Sequence, residues 1–211
     1  MTVFANRAEA GKQLAEALDH IKGADVVVLG VPRGGVEVAA EVAAQQGWPL
    51  DIVIPRKVGA PHNPELGLGA IAPGVRVLDQ RMLRALGVSD EYLEEEIRTQ
   101  EEEIRRRTEA YRRGKPPVGL AGKVVVVVDD GIATGGTAVA AVRWAKTQGA
   151  KRVILAVPVA PREAVSRLST EADEVVSLST PEPFFAVGQW YGDFPQVEDS
   201  EVVRLLDRGI E

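Results

Sequence analysis

Residues 124–137 read Val-Val-Val-Val-Val-Asp-Asp-Gly-Ile-Ala-Thr-Gly-Gly-Thr, and this stretch decides the fold class. A run of five valines is too short and too β-branched for a helix. We therefore expect a strand that is buried on both faces of a parallel sheet. An alanine-rich helical segment, 138–148, follows the turn directly. Strand, turn and helix in this order predict an α/β protein.

The turn between the strand and the helix combines two kinds of polar group. Backbone N–H groups at a helix N-terminus bind anions, and glycines let a ligand approach the backbone closely. Asp129 and Asp130 come directly after the valines, and such carboxylates accept hydrogen bonds from vicinal hydroxyls and can hold a hydrated Mg²⁺. A phosphorylated sugar satisfies both halves of this turn.

The segment resembles the 5-phosphoribosyl-1-pyrophosphate (PRPP) motif of the type I phosphoribosyltransferases, and the match over Val125–Thr137 covers every position. The resemblance implies a Mg²⁺-dependent enzyme that moves the 5-phosphoribosyl group from PRPP to a small nitrogenous base and releases pyrophosphate. A regulatory protein that binds PRPP without turnover is the alternative. A phosphatase with an aspartate nucleophile is a weaker one, because such enzymes usually space their two aspartates by one residue. No Gly-x-Gly-x-x-Gly follows the first strand, which argues against a dinucleotide-binding fold.

The resemblance also implies residue roles. Asp129 and Asp130 would hold the ribose hydroxyls and, through water, Mg²⁺. The 5′-phosphate would lie against Ala133, Thr134, Gly135, Gly136 and Thr137. The pyrophosphate would be bound by Arg33, Gly34, Gly35, Arg56 and Lys57. The catalytic set would be Asp129, Asp130, Arg33 and Lys57.

The pyrophosphate loop of the family follows the first core strand and usually contains a cis peptide that does not precede proline. Pro32-Arg33-Gly34-Gly35 stands at that position, after the predicted strand 26–31, so we predict a cis Pro32–Arg33 bond. The carboxyl ends of parallel strands share one edge of a sheet, so this loop and the PRPP motif should face the same crevice.

The acceptor base is constrained by one departure from the family. In the 6-oxopurine branch an aspartate precedes the first motif threonine, and here that residue is Ala133. The site is therefore closer to the adenine, orotate and uracil branches. Segment 180–198 is the candidate hood, with Phe185, Trp190 or Tyr191 stacking on the base. A C-terminal flap that buries these aromatics in the core is the alternative.

The composition argues against several other kinds of site and protein. The 211 residues contain no cysteine, which excludes disulfides and thiolate sites, and a net charge of −6 argues against a nucleic-acid surface. No apolar run is long enough for a membrane span, and the N-terminus lacks a signal peptide pattern, so we expect a cytoplasmic, soluble protein.

Alternating strands and helices predict one domain over 1–211, a parallel sheet with helices on both faces. Segment 56–73 holds several glycines and prolines and is expected to be a mobile loop with short strands, for which 75–78 is a candidate. Segment 81–113 is expected to be a charged helical insert. Its narrow apolar stripe predicts packing onto the domain by one edge, with a homodimer contact as the alternative. The stripe consists of Leu93, Ile97, Ile104 and Tyr111.

Overall fold

The computed structural model describes residues 3–209, which form a parallel central sheet, a smaller antiparallel sheet and seven α-helices. The central sheet has the order β2-β1-β6-β7-β8. Its strands are β1 Val26–Gly30, β2 Leu50–Ile52, β6 Val124–Val128, β7 Arg152–Val159 and β8 Glu174–Ser179. The helices are α1 Arg7–Ala17, α2 Gly34–Gln46, α3 Gln80–Ala85, α4 Asp90–Arg112, α5 Gly136–Thr147, α6 Arg162–Leu168 and α7 Asp199–Arg208.

The valine strand β6 lies at the centre of this sheet, between β1 and β7, and both pairings are parallel. Successive side chains of a strand point to opposite faces, and here both faces are covered. Val126 and Val128 pack in the core formed with α1 and α2, whereas Val125 and Val127 pack in the core formed with α5 and α6. The predicted α/β fold, with helices on both faces, is confirmed.

The segment expected to be a mobile loop forms a second sheet instead. Strands β3 Arg56–Ala60, β4 Asn63–Ala72 and β5 Val75–Leu78 pair antiparallel in that order. Glycine, which suggested a loop here, instead allows two strands of this sheet to approach closely. At Gly59, where the ladder is irregular, an added methyl group would lie 2.9 Å from the Cα of Pro64, so the two backbones approach more closely than a side chain allows.

The charged insert is two helices, not one. The chain leaves α3 and passes through Gly87 at φ 59°, and α4 then starts after Ser89, whose hydroxyl accepts a hydrogen bond from Tyr92 N–H. The stripe residues Ile97, Ile104 and Tyr111 are buried in the core of the same chain. The predicted packing of the stripe onto the domain is therefore observed, with Leu93 partly buried against the same core, and a homodimer stays a prediction.

The candidate hood packs against the N-terminus of the chain. It contains a short 3-10 helix, Val187–Trp190, and the backbone N–H of Phe4 donates to Trp190 O. Phe4, Trp190 and Tyr191 form a small aromatic core next to the sheet. Within residues 3–209, none of the helices combines the length and the apolar character that crossing a membrane requires.

Candidate active site

Two loops meet at the carboxyl edge of the central sheet. One follows β1 and reads Pro32-Arg33-Gly34-Gly35, and the other follows β6 and begins with Asp129 and Asp130. The two strands are neighbours in register, with Gly30 opposite Val128, so their loops leave the sheet side by side. The Pro32–Arg33 peptide bond is cis, as predicted.

The first loop lies directly against the acidic pair, and its glycines are the reason that it can. A methyl group added to Gly34 would lie 1.9 Å from Asp130 Oδ2, and one added to Gly35 would lie 2.8 Å from Asp129 Cα. Neither distance leaves space for a side chain. The predicted pyrophosphate loop and the predicted ribose carboxylates therefore lie in direct contact.

The two carboxylates are in an environment that opposes their charge. Burial raises the pKa of Asp129 well above its ordinary value, and the adjacent Asp130 carboxylate raises it further. Burial also raises the pKa of Asp130, but the guanidinium of Arg7 opposes that shift. The backbone N–H of Asp130 donates to Asp129 Oδ1 at 2.9 Å. Hydroxyl donors or a cation at this position would stabilise the ionised pair.

Arg7 is a site residue that the sequence analysis missed. Its side chain is almost fully buried, and its Nε donates to Asp130 Oδ2 at 2.8 Å. A signal was present in the sequence, because Arg7 shares the buried face of α1 with Ala10, Gly11 and Leu14 at helical spacing. An arginine on an apolar helix face requires a buried acidic or carbonyl partner.

The predicted 5′-phosphate loop has the geometry of an anion cradle. Gly135 is the N-cap of α5 with φ 76°, and no side chain caps the helix, so the amides of its first turn have no side-chain partner. Thr134 is exposed and Thr137 is half-buried. Arg167 of α6 lies at the rim, where its Nη2 would be 3.0 Å from a methyl group on Gly135. Positive charge and unpaired amides thus surround the same turn.

The three basic residues assigned to pyrophosphate are held by neighbours outside the acidic pair. Arg33 Nη1 is 3.6 Å from Asp199 Oδ1, at the start of α7. Arg56 Nε donates to Gln100 Oε1 of α4 at 2.9 Å. Lys57 Nζ donates to Glu65 Oε2 at 3.0 Å. A role for these side chains at the pyrophosphate stays a prediction, and it requires each of them to exchange its present partner for the ligand.

The three aromatic candidates for base stacking differ in exposure. Trp190 is 9% exposed and Tyr191 is 5% exposed, whereas Phe185 is 81% exposed. Tyr191 stacks on Phe194, with ring centroids 4.9 Å apart, and its hydroxyl donates to the backbone oxygen of Asp130. The structure therefore corrects the stacking assignment of Trp190 and Tyr191, because their rings are packed against other side chains. Phe185 is the exposed ring of the three.

Mg²⁺ held through water stays a prediction for this site. Among residues 3–209, no group of three or more His, Asp or Glu side chains is arranged to hold a metal ion. Two adjacent carboxylates are the acidic groups that the sheet edge offers. Mg²⁺ binds in this manner when substrate phosphates and water complete its octahedron.

Comparisons with known proteins give relatives along nearly the whole chain. The family model described as "Phosphoribosyl transferase domain" matches residues 3–190. Two curated proteins from Mycobacterium tuberculosis strains CDC 1551 / Oshkosh and H37Rv are each 49% identical over 209 residues, covering 99% of this chain and 47% of theirs. Their names are "Putative phosphoribosyl transferase MT0597" and "Putative phosphoribosyl transferase Rv0571c". The chain thus spans about half the length of the curated relatives it matches.

Solved structures show the same fold. The crystal structure of TT1426 from Thermus thermophilus has a TM-score of 0.84 and 48% identity, with complete coverage of both chains. A hypothetical protein from Neisseria gonorrhoeae, crystallised with bound ppGpp, has a TM-score of 0.50 and 16% identity, covering 99% of this chain and 97% of its own. The second likeness shows the fold alone.

Proposed function

This chain belongs to the phosphoribosyl transferase family, and we propose that it is a Mg²⁺-dependent phosphoribosyltransferase that moves the 5-phosphoribosyl group from PRPP to a small nitrogenous base. The observation that carries the proposal is the contact between two loops. Gly34 and Gly35 lie against Asp130 and Asp129, so a ligand that spans a ribose and a pyrophosphate would touch both loops. In PRPP the pyrophosphate is attached to C1 of the ribose, and the neighbouring C2 carries a hydroxyl group.

Each part of the substrate has a counterpart in the site. The ribose hydroxyls would donate to Asp129 and Asp130, whose buried carboxylates gain most from such donors. The 5′-phosphate would accept from the backbone amides of the turn that opens α5, from residue 134 to residue 137. The cation at Arg167 stands at the rim of that turn. The pyrophosphate would lie over Gly34 and Gly35.

The reaction breaks the bond between C1 of the ribose and the pyrophosphate oxygen, and its electron pair leaves with the pyrophosphate. The lone pair of the acceptor nitrogen forms the new bond to C1, and the N–H proton of the base is released to water. Mg²⁺, when bound, neutralises charge on the departing pyrophosphate. The protein has little covalent work in this reaction, and its contribution is to position both reactants and to stabilise charge with preorganised donors.

The acceptor belongs to the adenine, orotate or uracil class in this proposal. Ala133 stands where the 6-oxopurine branch has an aspartate, and the methyl group of alanine cannot form a hydrogen bond with a purine nitrogen. Phe185 is exposed in the segment proposed as the hood and is the ring available for stacking.

The test is calorimetric titration of PRPP, with and without Mg²⁺. We expect the native chain to bind PRPP with Mg²⁺, and Asp129→Asn and Asp130→Asn each to weaken binding at least tenfold, since a hydrogen bond to a charged group is lost. Asp207→Asn is the control, because this carboxylate is exposed and pairs with Lys115 on the surface. No binding by the native chain, or equal binding by all variants, contradicts the proposal.

Turnover is tested separately, by pyrophosphate release. Adenine, orotate and uracil are offered with Mg²⁺ and PRPP, and hypoxanthine, guanine and xanthine serve as the contrasting set. Release with a member of the first set supports transfer to that base. PRPP binding without release for any acceptor would favour the regulatory protein.

A further inference from the structure

A closed ring of contacts runs from the side chain of Asp130 back to its own backbone. Arg7 donates to Asp130 Oδ2 at 2.8 Å, and the Arg7 guanidinium lies 3.7 Å from the centre of the Phe194 ring. Phe194 stacks on Tyr191, and the Tyr191 hydroxyl donates to Asp130 O. Two of the four members, Tyr191 and Phe194, come from the candidate hood.

This closed cycle of contacts leaves the Asp130 carboxylate little rotational freedom. One of its oxygens is bonded to Arg7, and the same oxygen adjoins Gly34, where even a methyl group has no space. The Asp130 side chain is 16% exposed, so a small part of it remains open to solvent. A carboxylate fixed in this way can accept a ribose hydroxyl without first losing rotational freedom.

We propose that Arg7 is a positioning residue, which fixes Asp130 for a ribose hydroxyl and ties it to the hood through Phe194 and Tyr191. This inference rests on the proposed function, since it needs a ribose at the carboxylates. Arg7 acts through Asp130 and contacts no ligand in this proposal. Asp129 forms no ion pair among residues 3–209 and instead accepts a hydrogen bond from the backbone N–H of Asp130.

Arginine fits this task and lysine does not. The planar guanidinium donates to Asp130 through Nε and to the backbone oxygen of Pro195 through Nη1, each at 2.8 Å. The same group lies over the Phe194 ring and is 3.4 Å from Glu37. An ammonium is a point charge on a flexible stem and cannot hold a ring face and two fixed acceptors together.

The chain offers a matched ion pair for comparison. Arg112 donates to Asp51, and Asp51 is also buried, at 3% exposure. Asp51 accepts further hydrogen bonds from the backbone N–H groups of Ile52 and Val118. This pair joins α4 to strand β2 and lies outside the two loops, after β1 and β6, that are proposed to bind PRPP. Arg7→Lys and Arg112→Lys are therefore equivalent in chemistry and differ in whether the paired aspartate belongs to the ribose site.

The experiment measures preference for the ribose hydroxyls. Dissociation constants are determined by calorimetry for ribose 5-phosphate and for its 2-deoxy and 3-deoxy analogues. The ratio between two sugars on one protein sample is insensitive to the fraction of that sample that is folded. We expect the native chain to prefer ribose 5-phosphate about tenfold over at least one deoxy sugar, the effect of one hydrogen bond to a charged group.

Arg7→Lys should reduce this preference to about twofold, whereas Arg112→Lys should retain it in full. Tyr191→Phe removes only the hydroxyl that bonds to Asp130 O, and it should lower the preference at least twofold. It also carries the test if Arg7→Lys does not fold.

An unchanged preference in Arg7→Lys and Tyr191→Phe overturns the inference and leaves the proposed function standing. The same holds if the native chain binds PRPP but does not distinguish ribose from either deoxy sugar. If the native chain binds neither PRPP nor ribose 5-phosphate, the proposed function fails, and the inference fails with it.

Discussion

Gly34 and Asp130 lie so close together that a methyl group on Gly34 would be 1.9 Å from the Asp130 carboxylate oxygen Oδ2. The two residues come from different loops, which follow neighbouring parallel strands. Glycine is thus required here by the approach of a carboxylate. Backbone conformation is not the reason, because Gly34 is the first residue of α2.

The first prediction concerns that contact. Gly34→Ala should push the Asp130 carboxylate away from Arg7, and we expect PRPP affinity to fall at least tenfold because a charged hydrogen bond is misplaced. The free energy of unfolding should fall by about 1–3 kcal/mol from overpacking. Calorimetry and urea denaturation measure the two effects. Gly119→Ala is the control, since the space around Gly119 is open. Unchanged PRPP affinity in Gly34→Ala would show that Asp130 does not bind the ligand.

The second prediction separates ligand binding from stability in the phosphate turn. Gly136 begins α5, and a methyl group there would meet no protein atom within 4 Å. Gly136→Ala should leave the free energy of unfolding unchanged or raise it by up to about 1 kcal/mol. Ribose 5-phosphate should bind at least tenfold more weakly, because the methyl group occupies space that the phosphate needs. If Gly136→Ala binds ribose 5-phosphate with the affinity of the native chain, the phosphate does not bind at this turn.

The third prediction concerns the buried pair of Asp51 and Arg112. Asp51→Ala leaves the Arg112 guanidinium without its carboxylate in a buried position, and we expect the free energy of unfolding to fall by about 3–5 kcal/mol. Urea denaturation measures the loss. Asp207→Ala removes an exposed partner of Lys115, and we expect its effect on the free energy of unfolding to be far smaller than that of Asp51→Ala. Equal effects of the two substitutions would mean that Asp51 contributes no more than a surface charge.

The fourth prediction is a pH dependence on α4. Hydrogen bonds from Arg106 and Arg107 lower the pKa of Glu103 to about 2, from an ordinary value near 4.5. A lowered pKa stabilises the folded state above the ordinary value, and this stabilisation is lost as the pH falls from about 4.5 towards 2. Glu103→Gln should therefore reduce the free energy of unfolding by about 1 kcal/mol at pH 7, since solvent screens the pair.

The difference in free energy of unfolding between the native chain and Glu103→Gln should shrink as the pH approaches 3. The native chain then loses the stabilisation that the variant already lacks. Urea denaturation of both proteins at pH 7, 4 and 3 gives the comparison. A difference that stays constant across these pH values would show that the Glu103 charge is not what stabilises the helix.

Short sequence patterns were sufficient to predict the strand, the turns and the peptide-bond geometry of the site. The strand β6, the acidic pair, the glycine turn and the cis bond after Pro32 all follow from short stretches of sequence and from the family that they resemble. They could be predicted because hydrophobic periodicity and turn chemistry act over a few residues.

The errors concern two segments rich in glycine and proline. The segment 56–73 looked like a loop because glycines and prolines are turn formers, but its strands find hairpin partners and then pack on α4 and α5. Trp190 and Tyr191 looked available for stacking because they lie in a segment rich in glycine and proline. Phe4, from the other end of the chain, covers them.

By itself, the sequence determined the parallel α/β sheet, the position of its central strand and the two loops at its carboxyl edge. The tertiary structure alone decided which side chains complete those loops. Arg7 reaches Asp130 across 123 positions of the chain, and Tyr191 reaches the same residue from the hood. The reason is physical: a helix or a turn is specified by its neighbours in sequence, whereas the partner of a buried charge is specified by whichever group the packing brings into contact.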